Sequence, residues 1–230
     1  MSAKPVYLIP GGHPPDLKQM ARNYQTVFES CGNLKPNIAY VGTANRDNRL
    51  FFGFMKKTLV NAGAGKVTLT PIAGKSADTQ KAKKILSEAD CVFLSGGEVE
   101  DGIVLLKEAG LDVFLTDLYN SGKPFFGVSA GCIMMGRNWV SWEDENDDNT
   151  ASLFDCLGFV PMTFDTHCEG EGWKELKCAL RLMGSGAEGH GLPSGGFYSA
   201  DSGGRLVCYK NAPAVFRNVN GNIEEVAWDG

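Results

Sequence analysis

The chain has 230 residues, of which 43% are hydrophobic and 21% charged, enough apolar material for one sizeable core and a length that fits one large domain better than two small ones. A net charge of −5 with no Lys/Arg cluster argues against nucleic acid as a partner, and no apolar run approaches the roughly 18 residues of a membrane span. Seven scattered cysteines without a CxxC pair, three histidines, and an N-terminus "MSAKPVYLIPGG" without the pattern of a signal peptide point to a cytoplasmic protein without disulfides, metal or cofactor.

In chain order, "VYLIP" (6–10) reads as a short apolar strand ending in Gly11-Gly12, and "DLKQMARNYQTVFESCG" (16–32) as an amphipathic helix stopped at Gly32. "NIAYVGT" is a second strand, "RLFFGFMKKTLVNAGAG" (49–65) a helix closed by glycines, "KVTLTPI" a third strand and "SADTQKAKKILSEAD" a capped helix. "CVFLSGG" is a fourth strand, "EVEDGIVLLKEAGL" and "VFLTDLYNSGK" are helical, and "PFFGVS" is a fifth strand. Strands that are apolar throughout and separated by helices predict an α/β domain with a mostly parallel sheet covered on both faces. Their carboxyl ends finish in "PGGH", "VGTA", "LSGGE" and "GVSAG", and ligands of open α/β sheets bind at that edge. Beyond an acidic loop, "EDENDDN" (143–149), shorter strands ("FVPMTFD", "GGFYSA", "RLVCYK", "PAVFRNV") around one helix near 171–184 complete the same domain, so residues 1–230 read as one unit.

"GVSAG" fits Gly-x-Ser-x-Gly, in which a serine sits on a tight strand-to-helix turn and flanking glycines let helix and strand approach. The turn lifts the Ser129 hydroxyl out of the sheet, and the Ala130 N–H at the helix start faces developing negative charge. The alternative is a serine that merely caps a buried helix. A nucleophilic serine needs a base. His167 in "FDTHCEG" follows an apolar segment and so stands at a strand end; His190 in "EGHGLPSGG" is a second candidate, and His13 in "PGGHPP" lies on the same edge as a possible substrate contact.

The order of "FLSGGEVED", "PFFGVSAGC", "FDTH" and "GLPSGG" resembles the peptidase E / cyanophycinase family of serine peptidases, which share a glutamine-amidotransferase-like (flavodoxin-like) α/β fold. The resemblance implies Ser129 as nucleophile, His167 as base, and the Gly97 and Ala130 amides as oxyanion hole. It implies two alternatives for the third member. An acid some fifteen residues after the nucleophile is Asp144, whereas the family's glutamate in a "Gly-Leu-Pro-Glu" turn is here Ser194, which supplies no charge.

The implied activity is a serine hydrolase acting on small peptides, as monomer or homodimer. The competing expectation is a binding protein of the same fold with an impaired triad. The peptidase E branch prefers an N-terminal aspartate; here Glu143, Asp144, Glu145, Asp147 and Asp148, flanked by Trp139 and Trp142, are expected to border the cleft and to favour basic or neutral residues instead.

Overall fold

The structure, a computed structural model, describes residues 3–12, 17–144 and 147–230; His13 and Glu145 therefore lie outside the described residues. Five short strands, β1 (Val6–Ile9), β2 (Asn37–Val41), β3 (Lys66–Leu69), β4 (Cys91–Leu94) and β5 (Phe125–Val128), alternate with helices α1 (Leu17–Ser30), α2 (Arg49–Asn61), α3 (Thr79–Glu88), α4 (Val99–Glu108) and α5 (Asp112–Asn120). α6 (Ala130–Met135) follows β5 directly. Side-chain caps set two of the starts: Asn48 accepts the Leu50 and Phe51 amides before α2, and Asp78 accepts the Lys81 amide before α3.

The five strands pair in parallel in the order β1-β5-β4-β2-β3. Two later strands, β10 (Phe197–Ala200) and β11 (Leu206–Lys210), add antiparallel on the β1 side and complete a seven-stranded sheet. Successive strand residues point to opposite faces, and the core divides accordingly. Ala39, Val41, Val92, Leu94 and Phe125 pack beneath α3, α4, α5 and α6, while Ile38, Tyr40, Cys91, Phe93 and Phe126 pack against Tyr24, Val27 and Phe28 of α1 and Met55 and Leu59 of α2. Phe93 and Phe126 have ring centroids 4.9 Å apart and anchor the second layer. This is the α/β architecture expected from the sequence, a mostly parallel sheet between helices.

The second half holds more strand than the pattern suggests. β6 (Asn138–Trp142) and β7 (Ala151–Asp155) form a hairpin across the acidic loop. β8 (Thr163–Thr166), β9 (Glu188–Leu192), β12 (Ala214–Val219) and β13 (Asn222–Val226) form a second sheet in the order β13-β12-β9-β8. Nothing in "EGHGL" advertises β9, because glycine is a poor strand former. Its glycines serve the packing of α7 (Lys174–Met183): a Cβ at Gly189 would lie 2.7 Å from Leu176, and one at Gly191 2.6 Å from the Trp173 ring.

Candidate active site

Ser129 stands between β5 and α6 with φ 51° and ψ −123°, a strained conformation for a residue with a side chain. Both glycines of "GVSAG" are required by close approach. A Cβ on Gly127 would lie 2.6 Å from the Gly131 backbone, and one on Gly131 2.2 Å from the Leu94 carbonyl oxygen. The Ser129 N–H still donates to the Ile9 carbonyl at 3.1 Å, so the β1–β5 ladder runs to the edge of the turn. Ser129 takes the N-cap position of α6 but makes no side-chain capping bond. Its Oγ instead lies 2.7 Å from His167 Nε2. A serine held to cap the helix would point elsewhere.

His167 comes from the end of β8, where its N–H donates to the Leu192 carbonyl at 2.9 Å and extends the β8–β9 ladder by one step. Its φ of 49° turns the chain sharply and presents the ring to the serine. The second sheet therefore supplies the histidine of the pair and the first sheet the serine.

Gly97 and Ala130 line the same cavity as Ser129. Ala130 is the first residue of α6, so its N–H has no intrahelical acceptor. The Gly97 N–H has no acceptor among the described residues. Gly97 adopts φ 143°, and a Cβ there would strike the Ala44 carbonyl oxygen at 2.0 Å. The loop carrying it is braced by Asn45, whose Nδ2 donates to Ser95 Oγ at 2.8 Å and to the Gly96 carbonyl at 2.9 Å, and by the Glu98 N–H bonded to Ala44 at 2.7 Å.

Asp144 sits exposed in the turn between β6 and β7, where the Thr150 hydroxyl bonds its N–H and carbonyl at 3.0 Å each. Ser194 packs on Gly12, and its N–H donates to Glu169 Oε1 at 3.1 Å. Glu169 is a carboxylate that sequence reasoning missed. Partial burial pushes its carboxyl up, but hydrogen bonds from the Ser194 hydroxyl and main chain and the charge of His167 outweigh this and hold it below its ordinary value. The signal available in the sequence was its place two residues after the histidine. His190 lines a different cavity with Glu188 and Arg217, and burial lowers its pKa.

Two cavities meet at Ser129 and His167. One, of about 240 Å³, is walled by Glu98, Glu100, Asp165, Glu175, Trp139 and Trp142. The other, of about 680 Å³, is walled by Met20, Phe51, Phe54, Met55 and Val128. The expected acidic border is thus built from other carboxylates than those of the 143–148 loop, since neither cavity is lined by its described acids. Asp147 accepts the Asn149 amide and Asp148 pairs with Arg181 at 3.6 Å, while Trp139 and Trp142 do reach the cleft. Burial raises the Asp165 carboxyl to about 7; the Thr166 amide, its strongest opposing influence, holds it back, and the charge of Glu175 adds to the rise. Among the described residues no three His, Cys, Asp or Glu side chains converge as a metal site would need.

The sequence matches the family model "Peptidase family S51" over residues 6–185. The uncharacterized peptidase YgaJ of Bacillus subtilis (strain 168) is 27% identical over 185 residues, 79% of this chain and 73% of the relative. The crystal structure of a peptidase from an acI-B1 actinobacterium superposes with a TM-score of 0.71 at 16% identity, covering 99% of this chain and 96% of that one. A peptidase E structure from Listeria monocytogenes EGD-e gives 0.68 at 18% identity, covering 92% and 100%. The structural likenesses speak for the fold, and the family match, which spans well over half of the sequence, speaks for descent: the chain belongs to peptidase family S51 and is a serine-type peptidase.

Proposed function

We propose that the protein hydrolyses small peptides by acyl transfer through Ser129 and His167. The observation that carries this reading is the 2.7 Å contact between Ser129 Oγ and His167 Nε2 at a strained strand-to-helix turn. Ser129 Oγ attacks the scissile carbonyl as His167 Nε2 accepts its proton. The Gly97 and Ala130 amides bind the oxyanion of the tetrahedral intermediate, and His167 then protonates the leaving amine. Water, deprotonated by the same imidazole, releases the acyl group from Ser129 and regenerates the hydroxyl.

Ser129→Ala should lower kcat by on the order of 10⁴-fold and abolish labelling by a fluorophosphonate, with the fold unchanged by circular dichroism. Turnover within tenfold of the parent would remove Ser129 from the mechanism. A protein that folds normally but neither labels nor cleaves a peptide library would favour the binding-protein alternative.

Two carboxylates compete to orient the imidazole: Asp144, at the family's spacing, and Glu169, whose carboxyl the charge of His167 helps to lower and which the Ser194 N–H holds in place. In the second reading Glu169 and Ser194 together stand in for the family's turn glutamate. Glu169→Gln and Asp144→Asn separate them, since the orienting residue should lose about 10-fold or more in kcat with little change in KM. The seven cysteines are all free thiols, which supports action in the cytoplasm.

A further inference from the structure

We propose that the smaller cavity beside Ser129 is a subsite for a cationic nitrogen of the substrate, either its N-terminal ammonium or a Lys or Arg side chain, with Asp165 as the principal counter-charge. The inference rests on the peptidase reading only for what the cation belongs to.

Asp165 is 1% exposed, yet it lines the cavity. Its Oδ1 accepts the Thr166 amide at 2.7 Å, whereas its Oδ2 has no hydrogen-bond partner among the described residues. The Leu176 amide and the Cys168 thiol approach the carboxylate as weak donors that lower its pKa, but neither reaches Oδ2 within ordinary hydrogen-bond limits. A buried carboxylate oxygen left unpaired is costly, and such groups are normally matched by a donor. No Lys or Arg is among the described residues that line the cavity.

Three further acidic residues line the same cavity from two other elements, Glu98 and Glu100 at the start of α4 and Glu175 in α7. Trp139 and Trp142 supply aromatic faces alongside them, a combination that suits an ammonium or guanidinium. An aspartyl side chain placed here would meet four acidic residues and, among the described lining residues, no Lys or Arg.

The test is binding to Ser129→Ala protein, in which no turnover intervenes. The probes are argininamide, acetyl-argininamide, alaninamide and acetyl-alaninamide, titrated by calorimetry or, for millimolar affinities, by ligand-observed NMR. At least one cationic probe should bind about tenfold more tightly than acetyl-alaninamide, and Asp165→Asn on the same background should bring that margin to within about twofold. Retention of the margin by acetyl-argininamide assigns the subsite to a side chain; retention by alaninamide alone assigns it to the N-terminal ammonium. Equal affinity for all four probes, or a margin untouched by Asp165→Asn, overturns the proposal. Should Asp165→Asn not fold, the exposed pair Glu98→Gln and Glu100→Gln must halve the margin or better. Because these readouts need no catalysis, failure of the protein to cleave peptides would count against the proposed function and leave this test intact.

Discussion

The two walls that flank Ser129 differ in almost every physical respect. The smaller side is lined by four carboxylates and two tryptophans, from α4, β6, β8 and α7. The larger side is lined by Met20, Phe51, Phe54, Met55 and Val128, and α2 leaves Phe51 36% and Phe54 49% exposed at its mouth. The first wall is supplied largely by the second half of the chain and the second wall largely by the first, with Val128 and the shared Ser129 and His167 added to it. With Ser129 as the proposed nucleophile, this arrangement would suit an asymmetric substrate, positive on one side of the scissile bond and apolar on the other. It also separates chemistry from selectivity, since Ser129, His167 and Gly97 belong to both cavities.

The largest effect should come from the hinge that both walls share. A Cβ at Gly131 would lie 2.2 Å from the Leu94 carbonyl oxygen, a backbone atom that cannot swing aside. Gly131→Ala should therefore cost about 3 kcal/mol or more in denaturant unfolding. Because the elbow must shift to relieve the contact, kcat should also fall by on the order of 10²-fold. Gly53→Ala is the control of opposite sign: it sits within α2 with nothing within 4 Å of the added methyl, and should stabilise by about 0.5–1 kcal/mol. A tolerated Gly131→Ala would mean that the elbow is not held by close packing.

The second prediction concerns the acidic wall alone. The Asp165 carboxyl is raised from 3.8 to about 7, chiefly by burial. Between those values the folded protein keeps a proton that the unfolded chain has lost. Stability contributed at this position is therefore present at low pH, declines as pH rises through that window and is absent above about 7. Asp165→Asn, which stays neutral, should gain on the parent across the same window, with a difference of about 3–4 kcal/mol between pH 4 and pH 8. A difference that does not change with pH would show that Asp165 is not held in a charge-averse environment. A bound cation would offset the penalty above pH 7, which links the stability of this wall to what it binds.

The contrast between the walls also marks how far the sequence could be read. β1 to β5 are legible as apolar runs between helical periods because each is local and all but β3 close on glycine or a Gly-containing turn, and the turn at Ser129 is legible because it is written in five consecutive residues. His167 follows from the scarcity of histidines and from the family resemblance. Asp165 and Glu169 were not legible as site residues, since their positions depend on β8 pairing with β9, strands some twenty residues apart of which the second is glycine-rich. The acidic loop misled for a related reason. Its sequence lies between Ser129 and His167, but its described acids line neither cavity and Asp148 pairs with Arg181, while β6 brings Trp139 and Trp142 to the cleft.

The apolar wall gives the third and smallest expected effect. Phe51 and Phe54 are one turn apart on α2 and partly exposed, so replacing both with serine removes apolar surface from the cavity without opening the core beneath. Met55 and Leu59 of the same helix remain buried to hold it. Burying a leucine side chain against apolar surface is worth about 1.5–3 kcal/mol when complete; a partly open wall should realise roughly half of that, or about tenfold in kcat/KM. Matched peptides Ala-Leu, Leu-Ala and Ala-Ala measure which side of the scissile bond this wall receives. In the parent, the peptide whose leucine faces α2 should be favoured over Ala-Ala by about tenfold, and in the double variant by no more than about twofold. The cation margin of the opposite wall should not move, since Asp165 and the two phenylalanines line different cavities. Loss of both preferences together would mean that the walls are coupled through a displacement of Ser129, and an unchanged leucine preference would mean that the apolar cavity does not receive the substrate.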